Sequence, residues 1–152
     1  MKKNSPKIDK FIKENNCVCF NVRKISRLVT QVYDEAFRST GFKATQIAVL
    51  FSVSDLSPIT ISQLAQAMTT DRTTISRNLK PLQREHLVLI KPGEDKRQKN
   101  IHITTKGKKL VEEILPLWKK CQQKLFSAIG DERLAKILSE LADISSIIQK
   151  EP

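Results

Sequence analysis

Glycine is scarce in this 152-residue chain, with 4 residues, and aromatic side chains make up only 5% of it. A sequence this poor in glycine has few of the turns that an all-β fold requires, and long helical patterns dominate instead, so a mainly α fold is expected. No run approaches the roughly 18 uninterrupted apolar residues that span a bilayer, so no membrane segment is expected. The N-terminal stretch Met1-Lys2-Lys3-Asn4-Ser5-Pro6 is basic but lacks the apolar core of a signal peptide. A cytoplasmic location follows as an expectation. Three cysteines, Cys17, Cys19 and Cys121, form an odd set at no metal-ligand spacing, which argues against a disulfide framework or a zinc site. Acidic residues are also in the minority: 27 Lys and Arg against 16 Asp and Glu leave a formal net charge of +11. Such an excess favours a polyanionic partner, nucleic acid first and an anionic membrane surface second.

Residues 1–14 read as a flexible basic arm. Apolar positions Val18, Val22, Ile25, Val29, Val32 and Ala36 then recur at intervals of four and three, which predicts an amphipathic helix ended by Gly41. Thr45 is placed as the N-cap of a second helix carrying Ile47, Leu50 and Phe51, closed by Ser57-Pro58. Thr60 with Gln63 forms a capping box for a short third helix. Asp71 caps a fourth, which runs to about Glu85 with Ile75, Leu79 and Leu82 on its inner side. Pro81 interrupts that pattern; an interior proline loses one backbone bond and crowds the preceding turn, so a kink is expected rather than an end. A β-hairpin follows, from Leu87–Lys91 to Asn100–Thr104, joined by a polar, charged loop. Thr104 then caps a long helix with Leu110, Ile114 and Cys121 on one side. After Gly130-Asp131, a last helix carries Leu134, Ile137, Leu138, Leu141, Ile144 and Ile148.

The third and fourth helices, joined by a short turn, have the helix-turn-helix layout, in which the start of the second helix meets base edges in the major groove. A polar stripe, Thr73, Arg77, Lys80 and Arg84, lies opposite the apolar one. A solvated helix face has the same composition; its position after a capped helix and before a basic hairpin is what points to DNA. Thr73, Thr74 and Arg77 are the expected base readers, because a threonine methyl fits thymine and arginine pairs with guanine. Ser76, Lys80 and Arg84 are assigned to phosphates. On the hairpin, Lys96, Arg97 and Lys99 suit a minor groove, with Asp95 orienting Arg97.

The runs Ile61-Ser62-Gln63-Leu64-Ala65, Thr70-Asp71-Arg72-Thr73-Thr74-Ile75-Ser76-Arg77-Asn78-Leu79 and Leu82-Gln83-Arg84-Glu85-His86-Leu87-Val88 together resemble the MarR family of bacterial regulators. That family's Asp-x-Arg wing signature corresponds to Asp95-Lys96-Arg97, and its hydrophobic-Thr-x-x-Gly motif to Ile103-Thr104-Thr105-Lys106-Gly107. The resemblance spans residues 15–148. One departure is His86, where the family usually has glycine, so an unusual backbone angle is expected there.

The resemblance implies a winged helix-turn-helix, a three-helix head with a hairpin wing at 41–104, and helical dimerisation regions at 15–40 and 105–152. It implies a homodimer on a pseudo-palindromic operator, a repressor by default, released by a small aromatic or phenolic ligand. The stripes on 18–36, 110–129 and 134–148 agree, since they exceed what the head can cover and a second copy would bury them. Phe20, Arg23, Arg27, Tyr33 and Phe37 are candidate effector contacts, with ordinary core and surface roles as the alternative. Some similar proteins sense oxidants, which makes Cys17 and Cys19 redox candidates, although two helical residues so spaced point about 200° apart and cannot pair. A winged-helix module for protein contacts is the remaining alternative. No phosphate-binding glycine loop, zinc spacing or carboxylate pair marks an enzyme, and no cofactor or metal is expected.

Overall fold

The computed structural model describes residues 17–93 and 98–150; the predicted basic arm lies outside them. Helix α1 (Val18–Ala36) passes through a 3-10 turn (Arg38–Thr40) to α2 (Ala44–Leu56). Strand β1 (Ile59–Thr60), α3 (Ile61–Ala67), α4 (Arg72–Arg84), β2 (Val88–Pro92) and β3 (Lys99–Ile103) complete the head, and α5 (Thr105–Ile129) and α6 (Asp131–Ile148) follow. The mainly α, winged helix-turn-helix architecture expected from the sequence is the one found.

The local start signals behave as their chemistry dictates. The hydroxyl of Thr60 accepts from the Gln63 backbone N–H, and Gln63 Oε1 accepts from the Thr60 N–H in return. Asp71 and Thr104 cap α4 and α5 through their side-chain oxygens. Three placements differ. Helix α2 starts one residue before Thr45, with Lys43 as its N-cap; the Ala44 N–H donates 2.7 Å to Asp34 Oδ1 of α1, so the cap comes from another helix. Gly41, at φ +74°, caps the 3-10 turn rather than α1. The hairpin strands sit one residue from the expected ones, because Thr104 leaves the sheet to cap α5.

Strand β1 was not foreseen. It pairs Ile59 with Ile101 and Thr60 with Asn100, making an antiparallel sheet in the order β1-β3-β2. Pro92 sits on β2, an edge strand, where its missing N–H is tolerated. Helix α4 continues through Pro81 to Arg84.

The core lies in the head. Ile47, Leu50 and Val53 of α2, Leu64 of α3, Ile75, Leu79 and Leu82 of α4, Leu87 just before β2, and Val88 and Ile101 of the sheet are all buried, with Ile114 of α5 packed on them. By contrast, neither α1 nor α6 has a buried residue. Val22 and Ile25 of α1 are 52% and 58% exposed, and Leu138 and Leu141 of α6 are 50% and 48% exposed, so these apolar stripes are largely uncovered among the described residues.

Candidate nucleic-acid interface

Helix α4 owes its orientation to its two faces. Ile75, Leu79 and Leu82 anchor one side in the core, so Thr73, Arg77, Lys80 and Arg84, on the other, are exposed. At its start, Asp71 Oδ1 accepts 2.8 Å from the Thr74 backbone N–H, and Oδ2 accepts 2.7 Å from the Thr74 hydroxyl. These bonds, the hydroxyl's first, hold the Asp71 carboxyl below its ordinary range. They also commit the Thr74 hydroxyl proton to the cap. Ser76 is half-buried and donates 2.7 Å to the Arg72 carbonyl.

Among the described residues, Arg72, Arg77 and Lys80 form no ion pair, and Arg84 has only a 3.9 Å contact with Glu85 between well-exposed side chains. Exposed pairs of that kind hold little energy, so the cations of α4 stand open to an external anion. Arg72 was missed by sequence reasoning. A cation in the first turn opposes the helix dipole, and that misfit is the signal that could have marked it.

A cleft of about 460 Å³ separates α4 from the wing, lined by Ser76, Lys80 and Gln83 on the helix side and by Lys91 and Lys99 on the strand side. The structure thus brings Ser76, Lys80 and Lys99 together and adds Lys91, whose place opposite α4 depends on the sheet register. The hairpin narrows at a 2.8 Å bond from the Gly93 N–H to the Gln98 carbonyl. Asp95, Lys96 and Arg97 lie outside the described residues.

The candidate effector residues do not form one group. Tyr33 and Phe37 line a cavity of about 290 Å³ between α1, α2 and α5, together with Phe51 and Trp118. The Tyr33 hydroxyl donates 2.7 Å to Gln122 Oε1, and burial followed by the neighbouring Cys121 raises its pKa. Phe20, Arg23 and Arg27 are exposed and do not line that cavity. Phe51 and Trp118 are contributions the sequence did not single out, because three helices must pack before they meet Tyr33. Of the thiols, Cys17 is the N-cap of α1, not a helical residue, and its Sγ accepts from the Phe20 N–H at 3.5 Å. Cys19 is exposed and Cys121 buried, with burial raising the Cys121 pKa. Among the described residues no group of His, Cys, Asp or Glu is arranged to hold a metal, and no helix is long and apolar enough to cross a membrane.

A capped reading helix beside a basic two-stranded wing defines a winged helix-turn-helix protein. The model of the MarR family matches residues 42–99. An HTH-type transcriptional regulator of Bacillus anthracis is 30% identical over 111 residues, covering 73% of this chain and 74% of the relative. Among solved structures, the M. tuberculosis transcriptional regulator MosR in complex with DNA is 32% identical, with a TM-score of 0.74 over 88% of this chain and 98% of that one. The S. aureus MepR–DNA complex is 26% identical, with a TM-score of 0.75 over 86% and 97%. This chain belongs to the MarR family.

Proposed function

We propose that the chain is a sequence-specific double-stranded DNA-binding transcriptional regulator, a repressor that acts as a homodimer on a pseudo-palindromic operator. The observation that carries this reading is the exposed cationic face of α4, with Arg77 and Lys80 outside any ion pair among the described residues, beside a wing cleft bearing Lys80, Lys91 and Lys99. Thr73, Thr74, Arg72 and Arg77 are assigned to base edges, and Lys80, Arg84, Lys91 and Lys99 to phosphates, with Ser76 able to donate to a phosphate only by giving up its bond to the Arg72 carbonyl. Asp95, Lys96 and Arg97 are assigned to the minor groove on sequence grounds. The likeness to two regulators solved on DNA supports the same partner here.

The exposed apolar stripes of α1 and α6 support a homodimer, since a second copy offers the matching surface. Two α4 helices about one DNA turn apart would then read a two-fold-related site. The effector is assigned to the cavity of Tyr33, Phe37, Phe51 and Trp118. None of its lining side chains is charged, so a neutral phenol suits it better than a carboxylate.

The test is selection of duplexes from a random-sequence pool by the purified protein, with sedimentation to give the bound stoichiometry. Enrichment of a two-fold-symmetric sequence bound by two chains supports the proposal. Salt-sensitive binding with no enriched sequence contradicts it.

A further inference from the structure

The first turn of α5 grips three consecutive carbonyls where the reading helix ends. Lys106 Nζ donates 2.8 Å to the Glu85 carbonyl. The Thr104 hydroxyl donates 2.8 Å to the His86 carbonyl, with the Leu87 carbonyl at 3.1 Å, and the Thr104 N–H donates 3.0 Å to Leu87. The same hydroxyl accepts 2.9 Å from the Gly107 N–H. Last-turn carbonyls of a helix have no partner within it, and a cation there also meets the negative end of the dipole. Lys106 therefore satisfies both demands of α4 from a different helix.

Gly107 shows how close the two elements lie. A Cβ at that position would stand 2.2 Å from the Leu87 carbonyl oxygen and 2.9 Å from Ile103 Cγ1. Glycine is a poor helix former compared with alanine, and here its missing side chain allows backbone-to-backbone contact. Helix α5 is also the element whose start packs on the head and whose far end adjoins α6 and its uncovered apolar stripe. Core packing of Ile75, Leu79 and Leu82 seats α4 in the head, and Thr104, Lys106 and Gly107 tie the end of that helix to the first turn of α5.

We propose that Lys106 is a positioning residue that sets the half-site spacing the protein accepts, by locking the end of the reading helix to α5. This rests on the homodimeric DNA-reading function proposed above. Inserting one base pair between half-sites shifts one by about 3.4 Å and rotates it by roughly 35°. A dimer discriminates against that change only as far as its two heads are held rigidly. A hydrogen bond from a charged donor is worth on the order of tenfold in an equilibrium, which sets the size of the expected effect.

The experiment uses the full chain and the duplex it selects from a random pool, together with duplexes having one base pair added or removed between half-sites. Lys106→Met is expected to cut discrimination between spacings about tenfold, while base preference within a half-site and the salt dependence stay as in the parent. Lys106→Arg, which keeps a donor for the Glu85 carbonyl, is expected to restore discrimination. Gly107→Ala, pushing the same junction apart, is expected to act in the same direction; if it fails to fold, the Lys106 pair still decides. Unchanged spacing discrimination in Lys106→Met overturns the inference. So does a uniform loss at every spacing with the salt slope reduced by about one, the mark of a phosphate contact. If the parent itself enriches only a single half-site, the dimeric reading fails, and the inference fails with it.

Discussion

The Asp71 carboxylate starts α4 by accepting from both the backbone N–H and the hydroxyl of Thr74. Its bonds from Thr74 lower its pKa from an ordinary 3.8. A carboxyl whose folded value is depressed contributes stability that is fully present above the unfolded value and is lost as pH falls through the folded one. The cap is therefore intact at neutral pH and fails only in acid. Thermal melts of the parent and Asp71→Ala are expected to differ at pH 7, with the gap closing as the pH drops below 3.8. A gap that is constant through the acid range would show that the charge contributes nothing. Arg72 and Lys80 need no such analysis to be functional candidates: each is exposed, cationic and outside any ion pair among the described residues.

At the scale of elements, the end of α4 is strained. His86 holds φ +57°, a left-handed angle that costs a non-glycine residue about 1–2 kcal/mol. Replacing it with glycine, as the family usually has, is expected to raise stability by about 1 kcal/mol without changing DNA affinity, measured by denaturant unfolding and by titration of a bound duplex. A loss of stability would mean the imidazole makes a compensating contact. The angle was anticipated because a single residue stood where the family pattern has glycine. Caps were legible for a related reason: Thr60, Asp71 and Thr104 each bond within three residues, so spacing alone exposes them. Where a partner is remote, the signal vanishes. The start of α2 is satisfied by Asp34, ten residues upstream, and a strand of two residues such as β1 exists only through its pairing with β3. The lining of the cavity beside Tyr33 was hidden in the same way. Phe20, Arg23 and Arg27 share α1 with Tyr33 but are exposed and do not line the cavity, whereas Phe51 and Trp118 arrive from α2 and α5.

For the whole molecule, the distribution of burial is as informative as the fold. The head has a closed core, yet α1 and α6 expose long apolar stripes. That disparity could be foreseen from the sequence, because three amphipathic helices flank a head too small to cover them. Leu141, 48% exposed, lies within the α6 stripe. If the stripe forms the proposed dimer contact, Leu141→Glu is expected to sediment as a monomer where the parent sediments as a dimer, and to weaken operator binding on the order of 100-fold or more, since two linked heads bind far more tightly than one. A variant that remains dimeric would place the subunit contact elsewhere. The net charge of +11 acts at the same scale, favouring association with any duplex and making affinity for DNA steeply salt-dependent.

The central claim is that the exposed face of α4 reads base edges, and Arg77 tests it most directly. Parent and Arg77→Ala are to be titrated against the selected duplex and against duplexes changed one base pair at a time, across a salt series. The account predicts that Arg77→Ala loses preference at one position in each half-site, by about 1–3 kcal/mol, while the other positions stay as discriminating as in the parent. If Arg77→Ala keeps every preference of the parent, or loses affinity equally for all duplexes with a smaller salt slope, the face of α4 does not read sequence in the way proposed.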